Sequence, residues 1–122
     1  MATAIDLMKA GMSAGSAKAI NGQVQSAISA AGTVITDATD LTASVNVVTT
    51  AAASSGVQLQ NGEVGDSVHI LNLGANAVTV YPDSASNQIN ALSAGAGFLL
   101  AANTAVTLKK FSALRWIGFL SA

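Results

Sequence analysis

The sequence predicts an all-β fold, a small β-sandwich, jelly roll or barrel, with a short N-terminal helical arm. Between about residues 30 and 45 the chain changes from helix-compatible residues to β-branched residues that alternate with polar ones. Turn residues then recur at short intervals, as in Asn61-Gly62 and Asp83-Ser84. Many short strands with close turns are typical of sandwiches and barrels. We therefore expect a helical arm at 1–32 and a β domain at 33–122.

The N-terminal arm is predicted from one apolar helix face. Thr3 and Asp6 approximate a capping box, and Gly11 or Gly15 is expected to end the helix. A helix this short is marginal in water, so its face needs a partner surface. That surface is either the β domain of the same chain or another protein, and methionine adapts well to irregular grooves. The docking candidates are Ile5, Leu7, Met8 and Met12.

Nine strands are predicted from residue 33 onward, at 33–35, 43–49, 57–60, 67–73, 77–81, 88–90, 97–100, 105–111 and 115–120. The strands at 67–73 and 77–81 flank a Gly/Asn loop, which predicts a β-hairpin closed by Pro82. No repeat of solenoid type is visible. The candidates for the core or for a subunit interface are Val68, Ile70, Val78, Val80, Phe98, Leu100, Trp116 and Phe119.

The composition argues against several partners. Five basic and six acidic residues give a net charge of -1, so no strongly basic face for nucleic acid is expected. Apolar residues make up 51% of the chain, but 25 of them are scattered alanines. The longest small and apolar run, 94–102, is far shorter than the ~20 residues of a membrane span. We expect a soluble chain without an export signal, because Asp6, Lys9 and Lys18 interrupt the N-terminal region.

Reactive side chains are few, and we predict no enzyme activity, metal or cofactor. His69 is the one histidine and lies within a predicted strand. Asp37 and Asp40 could contribute to a calcium site, but turn formation and hydrogen bonding to the local backbone explain them better. Lys109 and Lys110 are interpreted as charges that prevent an edge strand from pairing with another chain, or as contacts for an acidic partner. Trp116 is expected in the core, with sugar stacking or a subunit contact as the alternative.

Several segments resemble a family of small virion proteins of tailed phages, described as head decoration, cement or head-fibre components. They are residues 65–68, 72–82, 88–90, 98–103 and 115–116, together with 2–8 and 11–12 near the N-terminus. The resemblance implies homotrimers seated where capsid subunits meet, clamping an expanded head from outside. The major capsid protein would be the partner, the β domain would trimerise, and the protein would be made in the host cytoplasm.

The expected function is therefore that of a capsid decoration protein, which acts by presenting surfaces that other proteins fit. A tail or fibre adaptor from the same virion is the first alternative. A glycan-binding adhesin module is the second.

Overall fold

The computed structural model describes residues 23–121, which form ten strands in two sheets. Strands β1 to β10 span, in order, Val24–Ala30, Thr39–Asp40, Val45–Ala51, Gly56–Gln58, Ser67–Asn72, Val78–Tyr81, Gln88–Ile89, Phe98–Leu100, Thr104–Ser112 and Arg115–Leu120. The larger sheet has the order β1-β3-β5-β9-β10-β7, and the smaller has the order β2-β4-β6-β8. The all-β prediction is confirmed for this part of the chain.

The first six strands wind like a solenoid. Successive strands alternate between the sheets, and β1, β3 and β5 are parallel neighbours in one sheet, as β2, β4 and β6 are in the other. Val24 pairs with Val45, which pairs with His69, so successive turns of the coil are 21 and 24 residues long. Because the turns differ in length, they leave no regular repeat in the sequence.

The chain after β6 closes this coil mainly with antiparallel partners. Strand β9 pairs with β5 and with β10, and β8 pairs with β6, all antiparallel, whereas the short β7 pairs in parallel with β10. Solenoid-like winding followed by antiparallel closure differs from the sandwich, jelly roll or barrel predicted from the sequence. Local alternation does not show which strands pair, and the coil makes parallel neighbours out of strands one full turn apart.

The predicted hairpin of 67–73 and 77–81 is wrong, because β5 and β6 lie in different sheets. The corner between them is built by Asn72, which is fully buried. Its Oδ1 accepts from the Gly74 amide at 2.9 Å, and its Nδ2 donates to the carbonyls of Asn76 at 2.9 Å and Leu100 at 3.1 Å. These bonds turn the chain across to the other sheet instead of back onto β5.

The core lies between the sheets and consists of the inward side chains of alternating strand positions. Its fully buried members include a single tryptophan surrounded by aliphatic residues: Leu41, Val48, Val57, Leu59, Ile70, Val78, Val80, Ile89, Leu100, Val106, Leu108 and Trp116. The alternation that predicted most strands is therefore the pattern that builds the core.

Strand β1 corrects the predicted boundary of the helical arm. Residues 24–30, which the sequence analysis placed in the arm, pair with β3 and bury Ile28 and Ala30. Ala27 has a φ of 59°, and the register shifts on either side of Ile28. Such a bulge removes the alternation by which strands are identified. The sheet thus begins at Val24, and the predicted strand at 33–35 is a turn in which the Asp37 amide donates to the Val34 carbonyl.

Candidate functional site

The structure separates the predicted site residues into two groups. The docking candidates Ile5, Leu7, Met8 and Met12 lie outside the described residues. Six of the eight core or interface candidates are buried between the sheets: Val68, Ile70, Val78, Val80, Leu100 and Trp116. Phe98 is half-buried and packs against the core, whereas Phe119 is 58% exposed.

Strand alternation explains why Phe119 is outside while Trp116 is inside. The two residues are three positions apart in β10, so their side chains point to opposite faces of the sheet. Ile117 shares the outer face with Phe119, and the two pair across the strands with Lys109 and Thr107 of β9. The outer side of this hairpin therefore carries large apolar side chains.

We call this feature the hairpin surface and define it by its exposed apolar residues, Phe111, Leu114, Ile117 and Phe119. Among residues 23–121, ten large apolar side chains are exposed, and these four lie within nine consecutive residues. Leu120 is also exposed, but it pairs with the buried Val106 and shares the face of Trp116. Scattered exposed apolar side chains are normal, but a contiguous group marks an interaction site. The hairpin surface is the strongest candidate for a contact site that this part of the chain offers.

The charged and polar groups beside the hairpin surface are few. Lys109 is exposed and donates to the Ser67 hydroxyl at 3.3 Å. His69 is exposed in β5, and its Nδ1 lies 2.9 Å from the Thr107 hydroxyl. Both side chains are thus held against the sheet by neighbours on the same face. Arg115, at the start of β10, donates to Gln88 Oε1 at 2.7 Å. A partner surface would therefore meet mostly apolar area with the positive charges of Lys109 and Arg115.

A buried ion pair supports the inner side of the same hairpin. Lys110 Nζ lies 2.7 Å from Asp83 Oδ2, with side-chain exposures of 5% and 0%. Asp83 also accepts hydrogen bonds from Asn87 Nδ2 at 2.6 Å, Trp116 Nε1 at 3.0 Å and the Gly62 amide at 3.2 Å. Lys110 donates a second bond to the Gly62 carbonyl at 2.8 Å. We call these five residues the buried brace.

The buried brace holds Asp83 in its charged form. Burial raises the pKa of this carboxyl, but the hydrogen bonds from Asn87, Lys110, Trp116 and the Gly62 amide outweigh burial and lower the pKa below its ordinary value. A carboxylate that accepts four hydrogen bonds while shielded from solvent is poorly placed to accept a proton from a substrate. Its role is to join the loop at Gly62, the chain after β6 and the hairpin.

The positions of Lys109 and Lys110 contradict their interpretation as residues that prevent pairing at a sheet edge. Strand β9 lies between β5 and β10, so it has no free edge for Lys109 and Lys110 to guard. Lys110 shares the inward face with Val106 and Leu108, whereas Lys109 points outward. Period-two alternation along β9 would have placed Lys110 inside, and a buried lysine requires an acidic partner. The sequence of β9 therefore carries a signal for the buried position of Lys110.

The two acidic residues considered for calcium binding take part in local structure: Asp37 lies in the turn after β1, and Asp40 is in β2. Asp66 also has a local role, since its Oδ2 accepts from the Glu63 amide at 2.8 Å. Within residues 23–121, no three His, Asp or Glu side chains group as metal ligands would. In the same range, no helix has the length and apolar character needed to span a membrane.

Comparisons of the chain with models of protein families, with curated proteins and with solved structures found no match. The hairpin surface and the buried brace are therefore interpreted from their own geometry.

Proposed function

We propose that this chain is a structural virion protein, a decoration protein that binds the outer surface of an expanded phage head as a homotrimer and stabilises it. The observation that carries the proposal is the hairpin surface, an apolar contact area on a rigid support. The resemblance of residues 65–82 and 98–103 to small virion proteins supports the same conclusion. Assembly would take place on heads in the host cytoplasm.

The hairpin surface is suited to contact between copies of the chain. Full burial of one large apolar side chain stabilises by about 1.5–3 kcal/mol, and the four side chains are 39–59% exposed, so roughly half of that gain is left to each. The summed gain over three copies is comparable with the association cost, which is on the order of 4–15 kcal/mol. A chain with a net charge of -1 adds little electrostatic repulsion between copies. Rotational symmetry is the usual outcome for identical subunits.

The buried brace supports this use of the hairpin. Lys110 and Trp116 hold the inner side of β9 and β10, while Ile117 and Phe119 of β10 are exposed on the outer side. A contact surface on a rigid element loses less conformational entropy on binding than one on a loop. The strands thus present the apolar residues in one fixed arrangement.

Docking to the major capsid protein is assigned to the N-terminal arm, with Ile5, Leu7, Met8 and Met12 as its contact face. Three arms on one trimer would bind with a high effective local concentration, so each arm can be weak. In this proposal, the hairpin surface contacts other copies of the chain and the N-terminal arm contacts the capsid.

Two measurements test the proposal. Sedimentation equilibrium of the purified chain is expected to give three times the 12.0 kDa chain mass. Cosedimentation with expanded heads is expected to show saturable binding, and the double variant Met8→Asp/Met12→Asp is expected to remain trimeric but to lose it. A monomer, or a trimer that ignores heads and binds tail tips, would overturn the assignment to the capsid. Unchanged head binding by the double variant would reject the arm as the docking segment.

A further inference from the structure

The outer face of the smaller sheet carries a second feature, which the proposed function does not use. A groove of about 410 Å³ opens there, on the opposite side of the fold from the hairpin surface. Uncharged residues line it: Thr33, Ala53, Ser54, Asn76, Ala77, Thr79, Tyr81 and Leu99. We propose that this groove binds a neutral hexopyranose, either free or at the end of a glycan.

The Tyr81 ring forms the apolar part of the groove together with Leu99, which is 66% exposed. Two glycines make room for this ring. A Cβ at Gly56 would lie 2.7 Å from Tyr81 Cε2, so a larger residue there would collide with the ring. A Cβ at Gly97 would collide with the Thr79 methyl group and would lie 3.1 Å from Tyr81 Cε1. The Tyr81 hydroxyl donates to the Thr33 carbonyl at 3.1 Å, which fixes the other end of the side chain.

The polar groups around the ring are neutral and have unused hydrogen-bonding capacity. No hydrogen bond within residues 23–121 uses the hydroxyls of Thr33, Ser54 or Thr79. Asn76 Nδ2 donates to the Ala51 carbonyl at 2.9 Å, which orients the amide and leaves its Oδ1 as an acceptor. The groove therefore offers hydrogen-bond donors and acceptors, from three hydroxyl groups and one amide oxygen, beside an aromatic ring.

This chemistry matches a pyranose better than other small ligands. A pyranose combines an apolar C–H surface, which packs on an aromatic ring, with hydroxyls that pair with Ser, Thr and Asn side chains. Phosphate, sulfate and carboxylate ligands are held by Arg or Lys, and no basic residue lines the groove. A single ring and a ligand this small imply weak binding per site, which three sites on a trimer would reinforce.

The test is a titration of the ¹⁵N-labelled full chain followed by NMR. The probes are methyl β-glucopyranoside, methyl β-galactopyranoside and N-acetylglucosamine, added to about 100 mM because a Kd on the order of 1 mM or weaker is expected for ligands of this size. Saturable shifts are expected for the amides of Ala77, Thr79, Tyr81 and Leu99 with at least one probe. An immobilised glycan panel distinguishes free sugar from terminal residues of longer glycans.

Matched variants keep the test decisive. Leu99→Glu adds a charge at an exposed position and is expected to weaken binding more than tenfold without unfolding the chain. Tyr81→Phe keeps the ring and is expected to change the Kd less than threefold. Val64→Ala, at an exposed position in the loop between β4 and β5 and outside both the groove and the hairpin surface, is the control and is expected to bind normally. The proposal would be overturned if no probe gave saturable shifts and the panel showed no binding, or if the shifts were confined to other surfaces. Unchanged binding by Leu99→Glu would also overturn it. None of these outcomes depends on whether the chain binds phage heads.

Discussion

Lys110 Nζ lies 2.7 Å from Asp83 Oδ2 inside the protein, while its neighbour in the sequence, Lys109, is exposed on the other face of the same strand. Two adjacent residues of one type thus have opposite environments because β9 is buried on one side only. The pair provides a matched test of what the buried brace contributes to stability.

Lys110→Met is expected to lower the free energy of unfolding by about 3–5 kcal/mol, because it leaves the Asp83 carboxylate buried without its cation. Lys109→Met is the control and is expected to change stability by less than about 0.5 kcal/mol. Urea unfolding followed by the fluorescence of the one tryptophan, Trp116, measures both. Protein concentration must be held constant, since association shifts the apparent stability. Equal effects of the two substitutions would contradict the role given to the brace.

The double variant Asp83→Asn/Lys110→Met is expected to lose clearly less stability than the sum of its two single variants. Removing both charges leaves no unpaired buried ion, and residues in direct contact are coupled by about 0.5–3 kcal/mol. The same urea titrations on the four proteins complete the double-mutant cycle. Strict additivity would mean that the 2.7 Å contact carries no coupling energy.

The contribution of Asp83 to stability is expected to depend on pH in a defined direction. The folded state holds the pKa of Asp83 below the ordinary value of about 3.9 found in unfolded chains. The unfolded state therefore binds a proton at a higher pH than the folded state does. The stabilisation is present above pH ~4 and is lost as the pH falls through the lower folded pKa.

The difference between the urea midpoints of the natural chain and of Asp83→Asn should therefore be constant above pH ~4 and shrink as the pH is lowered below that value. The other carboxylates are present in both proteins, so the difference between the two curves isolates Asp83. A difference that stays constant as the pH falls below that value, or that grows at low pH, would contradict the lowered pKa.

Asn72→Ala is expected to cost at least about 2 kcal/mol, because it leaves the Gly74 amide and the carbonyls of Asn76 and Leu100 without a partner. Asn46 is equally buried in the neighbouring strand β3, but its Oδ1 has no hydrogen-bond partner among residues 23–121. Asn46→Ala should therefore cost less than Asn72→Ala. Thermal and urea unfolding of the two variants test the order, and the reverse order would refute the role of Asn72 at the corner.

The double variant Ile117→Ser/Phe119→Ser is expected to shift the chain toward monomer while leaving it folded, because both side chains are exposed on the hairpin surface. Val34→Ser removes an exposed apolar side chain from the loop after β1 and serves as the control. Sedimentation velocity across a concentration series measures association, and circular dichroism checks the fold. Association that is unchanged in the double variant would exclude the hairpin surface as the contact between copies.

Most strands after residue 42 could be predicted from the sequence, because alternation of apolar and polar residues is a local property of a strand. Strands β5, β9 and β10 were predicted to within one or two residues of their ends. Strand β1 was missed because the bulge at Ala27 breaks its alternation. Residues 39–40, which form β2, are too few to show a period.

The sequence by itself determined that the chain from residue 33 onward is all-β, where most of its strands lie, and that charged side chains are scarce. These properties depend on composition and on neighbouring residues. Only the tertiary structure decided which sheet each strand joins, because the Asn72 corner has the same Gly and Asn residues as a hairpin turn. It also decided that Lys110 is an internal cation, since its partner Asp83 lies 27 positions away in the chain and only the folded coil brings the two together.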